Sequence, residues 1–468
     1  MPASALLIDD LVNPKLTVEQ QNILNQLDSV TVDLDPELLM REAAGNTGLT
    51  DFGDEGFRER LSAYTSAADS DSGNTNLNRL ILRNRIVRLL SQRLLLTDLL
   101  RRYPEIHDIE IDKPIIVVGL PRSGTTHLVN LIAADTRRRA LPYWESQEPF
   151  PHRGEGPDIN GIDPRFARSV AEHEAAMMMT PLVQAMHDRF PQAIEEEVEL
   201  LDLDFASYVV EWHARVPRWR DFYLTLDQRA HYAYLKTVLK ALTFLRGPRQ
   251  WVLKSPQHCE QLGPLMHTFP DATVAFTHRD PVAVIQSAVT MLAYGDRIRR
   301  KEIDPDGLVD YWIDRIEQLL RACVRDRDSV PADQSMDISF HHLNGSEMDI
   351  LSKLYAMNGT ELTADAKAAF HSYLDDNPRG KHGSLRYDLQ GHFQRSPAQV
   401  RERFGFYFDR FDVREEVCAP TSPSISVAPE PRTSSAPAHP RKRSAAASGC
   451  HRGCPTRSCS PPMPDGSC

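Results

Sequence analysis

Apolar residues between 77 and 100 recur close to the helical period, with arginines between them. Such a stripe predicts one long amphipathic helix, ending before Tyr103 and Pro104, with the arginines on its solvated face. Residues 1–50 show a weaker helical pattern of apolar residues, so the helical region extends toward the N-terminus. We therefore expect residues 1–110 to form a helical N-terminal extension.

The pattern changes at residue 114, where a short, continuous apolar run (PIIVVG) ends in glycine. Similar runs follow at 249–254 (RQWVLK) and 271–281 (DATVAFTHRDP). Continuous runs are typical of parallel strands buried on both faces, and strand, tight turn and helix in repetition indicate an α/β fold. We predict a P-loop-type parallel sheet flanked by helices over residues 111–415, with a helical acceptor-side insertion at about 155–245.

The last 51 residues, from Cys418, have a different composition. They hold 10 of the 33 prolines and six basic against two acidic residues, so this stretch is +4 while the remainder sums to −15. With hardly any large apolar residue, such a segment cannot offset its chain entropy by burial. We predict a disordered Pro/Ser/Ala-rich tail at 416–468. Its cysteines lack the paired spacing of a zinc site, and no metal is expected.

Charge and cysteine usage narrow the function classes. The net charge of −11 disfavours a general nucleic-acid binder. No apolar run has the length needed to span a bilayer, and the N-terminus lacks a basic signal-peptide region, so no stable membrane insertion is expected. Only Cys259 and Cys323 precede Cys418, which indicates a reduced, cytoplasmic protein rather than a disulfide scaffold.

The clearest chemical motif is the segment 119–126, GLPRSGTT, between a predicted strand and helix. A glycine-bearing turn at that junction directs backbone N–H groups at an anion. Arg122 adds a cation. Ser123, Thr125 and Thr126 add hydroxyl donors, and Gly124 leaves the space that a tight turn requires. The spacing fits a Walker A loop, but Thr125 stands at the lysine position and no magnesium-binding aspartate is evident. The loop is suited to a phosphate, and less so to ATP with magnesium.

Two further segments are candidates for binding anions. Arg279 follows the third apolar run, Asp280 and Pro281 are suited to begin a helix, and Ser287 lies eight residues beyond Arg279. One arginine and one serine placed in this way could hold a single phosphate. A basic glycine segment with Arg379, Gly380 and Lys381 could close over it as a flexible lid.

Together these motifs resemble the PAPS-dependent sulfotransferases, in particular the tyrosylprotein sulfotransferases and a bacterial branch acting on small molecules and lipids. The likeness extends over about residues 75–412. It implies that GLPRSGTTHL holds the 5′-phosphosulfate, that Arg279 and Ser287 hold the 3′-phosphate, and that the PRGKHG segment covers the nucleotide. His127 stands where many cytosolic members have the tryptophan near adenine. Trp144 and Trp251 are alternatives, although core packing is the simpler role for both.

The resemblance implies transfer of a sulfuryl group from PAPS to a hydroxyl of a small, apolar acceptor such as a lipid, terpenoid or phenol. Arg122 and Lys254 are predicted to stabilise the developing charge, and Glu145 to act as the general base. Glu148, His187 and His258 are the alternatives for the base. A carboxylate of the acidic run at 195–199 is expected to line the acceptor pocket.

Other functions remain open on the sequence alone. A P-loop kinase or NTPase would require magnesium and a γ-phosphate site. A non-catalytic nucleotide-binding protein would keep the phosphate sites without turnover. The short basic cluster at 441–443 gives weak support to a membrane or nucleic-acid binder.

Overall fold

The protein is described by a computed structural model that covers residues 6–71, 73–378 and 385–417. The predicted lid residues Arg379, Gly380 and Lys381, and the predicted tail from residue 418 onward, lie outside the described residues. The domain boundaries derived from the sequence stay predictions.

A five-stranded parallel sheet lies at the centre of the described chain. Its strands are β1 Ile115–Gly119, β2 Arg138–Arg139, β3 Gln250–Ser255, β4 Thr273–His278 and β5 Ser335–Ser339. They are ordered β2-β3-β1-β4-β5, and every pairing is parallel. The predicted α/β fold is confirmed, and the three apolar runs form the three central strands. This order places the carboxyl ends of β3, β1 and β4 side by side.

Helices surround the sheet. The segment before β1 contains α1 Val18–Leu27, α2 Pro36–Thr47, α3 Phe57–Ser70 and α4 Asn76–Arg102. Between β1 and β3 lie α5 Thr125–Ala133, α6 Tyr143–Gln147, α7 Pro164–Met179, α8 Val183–Met186, α9 Val198–Leu201, α10 Pro217–Tyr223 and α11 Arg229–Arg246. The remainder contains α12 Leu262–Thr268, α13 Pro281–Arg299, α14 Pro305–Asp326, α15 Phe340–Leu343, α16 Glu347–Asn358, α17 Ala364–Asp376, α18 Leu389–Phe393, α19 Pro397–Glu402 and α20 Gly405–Phe408. Short 3₁₀ turns occur at Pro104–Asp108, Asp202–Asp204, Tyr208–Trp212, Pro256–Glu260 and Arg327–Ser329.

Both faces of the sheet are buried, as the continuous apolar runs predict. Along β1, Ile116 and Val118 belong to a core shared with the N-terminal helices, whereas Ile115 and Val117 pack with α5 and α16 on the other face. Side chains alternate across a strand, so a strand covered on both faces must be apolar throughout.

The long helix predicted at 77–100 is confirmed as α4, with Thr75 as its N-cap. The expectation that its arginines are solvated is wrong for two of them. Arg85 is buried and paired with Glu199 and Asp202, at 2.6 and 2.7 Å. Arg93 is buried and paired with Asp204 at 2.7 Å. Because a buried guanidinium requires a carboxylate partner, these pairs tie α4 to the chain around residues 199–204.

Candidate active site

The loop after β1 adopts the tight geometry that its glycines suggested. Gly124 has φ +91° and precedes α5, and a Cβ at Gly119 would lie 2.1 Å from Thr277 Oγ1. Arg122 also has a positive φ, +68°, which is uncommon for a residue with a side chain. The Ser123 hydroxyl is buried and bonds to the Leu120 carbonyl and the Thr277 hydroxyl, so this side chain supports the turn rather than facing a ligand.

The structure brings Arg122 and Ser287 together. Arg122 Nε donates to Ser287 Oγ at 3.1 Å, and its Nη1 donates to the Met186 carbonyl. Arg279 approaches the same point, because its Nη1 donates to the carbonyl of Arg122 at 2.6 Å. The two anion-binding segments predicted from the sequence are therefore neighbours at the carboxyl ends of β1 and β4.

Arg279 is held on three sides. Its guanidinium lies 4.0 Å from the Phe340 ring centroid and forms a two-pronged ion pair with Glu416, at 2.8 and 2.7 Å. The backbone N–H of Glu416 donates to Asp280 Oδ2. Asp280 is also the predicted N-cap of α13, accepting from Val282 N–H at 2.9 Å. Sequence reasoning missed Glu416, which is 137 residues away and lies in the stretch predicted as tail.

A buried cation and carboxylate lie next to the loop. Lys254, at the end of β3, has a fully buried side chain whose Nζ is 2.6 Å from Glu196 Oε1 and 3.4 Å from Thr126 Oγ1. Its backbone N–H donates to Glu197. Burial raises the pKa of Glu196, and the repulsion from Glu195 adds to this, against the attraction of Lys254.

His187 and Glu195 form a second pair on the same side. Their Nε2 and Oε2 atoms are 3.3 Å apart. Burial would raise the pKa of Glu195, but His187, Lys254 and Arg189 together outweigh it and lower that pKa to about 2. The expectation that a carboxylate of the 195–199 run lines the pocket is met by Glu195, Glu196 and Glu199.

The other sequence candidates for the base lie elsewhere. Both carboxylate oxygens of Glu145 are engaged, by Arg139 and Arg246 at 2.8 Å each, and Glu145 does not belong to the cavity lining. Arg139 is the last residue of the edge strand β2, so this carboxylate is tied to the sheet. Glu148 pairs with Arg168, and His258 is buried between Glu197 and Tyr232.

The three residues considered for contact with adenine differ in their exposure. Trp251 is buried and donates to Thr243. Trp144 is also buried, with the guanidinium groups of Arg165 and Arg246 each 4.9 Å from its ring centroid, so both tryptophans are core residues. His127 lies on α5 with its Nε2 3.5 Å from Glu347 and its ring 6.3 Å from that of Tyr373. It is part-exposed, directly beyond the loop.

A cavity of about 540 Å³ opens beside the loop. Pro121, Arg122, Thr125 and Thr126 line one part of it. The apolar walls come from α4, α7, the 3₁₀ turn at Tyr208–Trp212 and α13. Met177 and Met179, at the end of α7, contribute to these walls. The cavity therefore joins the loop after β1 to an apolar chamber.

Comparison with known proteins decides the family. The sequence model of the sulfotransferase family matches residues 114–364, more than half of the chain. The chain belongs to the sulfotransferase family. The match spans β1 to the start of α17 and thus includes Arg122, Lys254, Arg279 and Ser287.

This sulfotransferase is similar to the omega-hydroxy-beta-dihydromenaquinone-9 sulfotransferase Stf3 of Mycobacterium bovis and of Mycobacterium tuberculosis. The identity is 25% over 306 residues, 64% of this chain and 75% of the relative. Among solved structures, sulfotransferase STF1 from Mycobacterium tuberculosis H37Rv superposes with a TM-score of 0.69 at 25% identity, over 81% of this chain and 99% of that one. Sulfotransferase STF9 from Mycobacterium avium shares the fold, with a TM-score of 0.72 at 21% identity over 82% and 98%.

Two features are absent from the described residues. No helix within the described ranges is long and apolar enough to cross a membrane. No group of three or more His, Cys, Asp or Glu side chains in that part of the chain could hold a metal ion.

Proposed function

We propose that this sulfotransferase moves a sulfuryl group from PAPS to a hydroxyl of an apolar small molecule, giving PAP and a sulfate ester. The observation that carries the proposal is a cavity in which Arg122, Thr125 and Thr126 meet apolar walls. Groups suited to phosphate at one end of the cavity fit a charged donor, and the apolar chamber at the other end fits an apolar acceptor.

The donor would bind at the carboxyl ends of β1 and β4. The loop N–H groups, Arg122 and the N-terminus of α5 suit the 5′-phosphosulfate, since backbone donors and the helix dipole favour an anion. Arg279 and Ser287 suit the 3′-phosphate. In the structure the Glu416 carboxylate pairs with the Arg279 guanidinium, so a bound 3′-phosphate would have to displace this carboxylate. Arg379, Gly380 and Lys381 stay the predicted cover.

The transfer requires few groups. The acceptor oxygen attacks sulfur in line, the bond from sulfur to the bridging phosphate oxygen breaks, and the acceptor proton passes to a base. Lys254 and Arg122 would stabilise the charge that develops on the leaving oxygen. The buried position of Lys254 strengthens that interaction, because little water screens it.

Glu196 is the base that the geometry favours. It lines the cavity, lies 2.6 Å from Lys254, and its pKa is raised by burial, which brings a carboxylate closer to the range useful for proton transfer. His187, held by Glu195, is the second candidate. Glu145 remains the prediction from sequence, and its carboxylate would have to leave two arginines before it could accept a proton.

The acceptor class follows from the cavity walls. Their apolar side chains suit a lipid-like or terpenoid body, and the related Stf3 proteins are named for a hydroxylated menaquinone. A hydroxyl carried on a long apolar body is therefore the acceptor we propose.

Thermal unfolding tests the donor assignment. PAP should raise the melting temperature, whereas 5′-AMP at the same concentration should raise it less, because it lacks the 3′-phosphate. A shift with ATP and magnesium, and none with PAP, would instead support a P-loop kinase. Labelled PAPS and a panel of hydroxylated lipids and phenols then test transfer.

A further inference from the structure

The acceptor cavity contains more cations than its carboxylates neutralise. Arginines at positions 85, 88, 122, 189 and 299 all line it. Arg85 is paired with Glu199 and Asp202, and Arg88 with Glu172 at 3.0 Å. Arg122 belongs to the phosphate loop. Apart from Arg122, which has no carboxylate partner among the described residues either, two of these guanidinium groups form no ion pair with a carboxylate in that part of the chain, those of Arg189 and Arg299.

The remaining carboxylates of the cavity are already engaged. Glu196 pairs with Lys254, and Glu195 with His187. Asp296 lies one helical turn before Arg299, yet forms no ion pair with it within 4 Å in the described chain. Neither arginine is therefore neutralised by a direct protein contact.

Both guanidinium groups have N–H donors that are not used in hydrogen bonds to the described residues. Arg189 Nε is buried and has no hydrogen-bond partner in the described residues. Arg299 forms one side-chain hydrogen bond, from Nη1 to the Trp212 carbonyl at 3.0 Å, out of five available N–H groups. Gly295 leaves it room, because a Cβ there would lie 3.3 Å from Arg299 Cζ.

His213 completes the cluster. It lines the same cavity, and its Nε2 is buried without a hydrogen-bond partner in the described chain. Burial lowers the pKa of His213, and the surrounding arginines lower it further, so the ring is neutral and carries one N–H. Burial and the proximity of Arg189 lower the pKa of Arg299 to about 10. Two cations that repel each other in a buried place gain from an anion between them.

The structure assigns to Arg189, Arg299 and His213 a second anion-binding subsite, which receives an anionic group on the acceptor itself. The acceptor is then an amphipathic anion: a hydroxyl at the phosphate loop, an apolar body, and a carboxylate, sulfate or phosphate at the other end. This inference deepens the proposed function, on which its reading as an acceptor subsite rests.

The position of the subsite indicates how long the acceptor must be. Arg299 follows Ser287 by twelve residues on α13, a rise of roughly 18 Å along the helix axis at 1.5 Å per residue. The anion would therefore lie well away from the donor phosphates, and the acceptor would have to be elongated.

A matched pair of fluorescent probes tests the subsite without requiring turnover. The sulfonate 8-anilinonaphthalene-1-sulfonate and the uncharged N-phenyl-1-naphthylamine share an aromatic body and differ in the anion. The full-length protein, with PAP present, is titrated with each. We expect Arg189→Ala and Arg299→Ala each to weaken binding of the sulfonate roughly tenfold, as the loss of a charge-assisted contact should, and to change the neutral probe less than twofold.

The double variant Arg88→Ala with Glu172→Ala is the matched control, since it removes a cavity arginine together with the carboxylate that neutralises it. It should leave the ratio of the two affinities unchanged. Arg189→Gln and Arg299→Gln replace the alanine variants if these do not fold. Unchanged sulfonate affinity in the variants, equal weakening of both probes, or no binding to the wild-type protein would each overturn the subsite.

The same samples separate this inference from the donor assignment. A variant that binds the sulfonate probe more weakly, but whose melting temperature is still raised by PAP, supports both the anion subsite and the donor assignment. If PAP never shifts the wild-type protein while the probe ratio still depends on Arg299, the donor assignment fails and the anion subsite stands.

Discussion

The two halves of the proposed site are built in different ways. The half proposed to bind the donor, called the donor half here, comes from short continuous segments at the carboxyl ends of neighbouring strands, β1 with its loop and β4 with Arg279. The acceptor half is assembled from α4, α7, the 3₁₀ turn at Tyr208–Trp212 and α13, which are far apart along the chain. The first is fixed by the sheet, and the second by side-chain packing between helices. Changes in the donor half should therefore affect every reaction, and changes in the acceptor half should affect which molecule reacts.

The strongest test of this contrast is Lys254→Met. Under the proposed function kcat should fall roughly 10²–10³-fold for every acceptor, as for the loss of a buried transition-state donor. The PAP-induced melting shift should persist. Rates with labelled PAPS measure the first and thermal unfolding the second. Lys236→Met, which removes a lysine bonded to the Thr268 carbonyl, is the control. A variant that turns over normally would remove Lys254 from the mechanism.

Glu196→Gln should lower kcat by roughly 10²-fold with little change in PAP binding. The active base is the deprotonated carboxylate, and burial raises its pKa above the ordinary value. Activity of the wild-type enzyme should therefore rise as pH increases through that raised pKa and be lost as pH falls below it. This acidic limb should be missing from the residual activity of the variant.

Glu145→Gln is the matched comparison for the base. Its carboxylate bridges Arg139 and Arg246, so the variant should lose stability while its remaining folded fraction turns over. If instead Glu145→Gln abolishes kcat and Glu196→Gln does not, the sequence prediction is right and our geometric choice is wrong.

Arg279→Ala should weaken PAP binding about tenfold and leave the fold intact, because a charge-assisted phosphate contact is lost. Glu416→Gln should act in the opposite direction and tighten PAP severalfold, since the phosphate no longer competes with a carboxylate. Calorimetric titration measures both. Equal affinities in the wild type and both variants would contradict the 3′-phosphate assignment.

The smallest effect is expected in the acceptor half. Val183 on α8 lines the cavity, and Val183→Trp should fill part of it. The KM for a bulky acceptor should rise severalfold while the KM for PAPS stays unchanged. Val18→Trp, on the exposed surface of α1, is the control. An equal rise in both KM values would mean that the two halves are not separable.

The donor half was accessible to sequence reasoning because its signals are local. The apolar run before Gly119, the loop spacing and the Asp280–Pro281 helix start each lie within a few residues. The long-range partners of the site were not, since Lys254 meets Glu196 across 58 residues and Arg279 meets Glu416 across 137. Helical periodicity located α4 correctly, yet it could not show that Arg85 and Arg93 face inward. Their carboxylate partners lie more than a hundred residues further along the chain.

The hydrogen bond from Arg279 to the Arg122 carbonyl bears on how a turnover would end. It joins the side chain proposed for one phosphate to the strained backbone of the loop proposed for the other. The two ends of the spent nucleotide would then leave in one concerted step, with Glu416 returning to Arg279 as it departs. Such a step belongs to the conformational events that limit many enzymes more than the chemistry does.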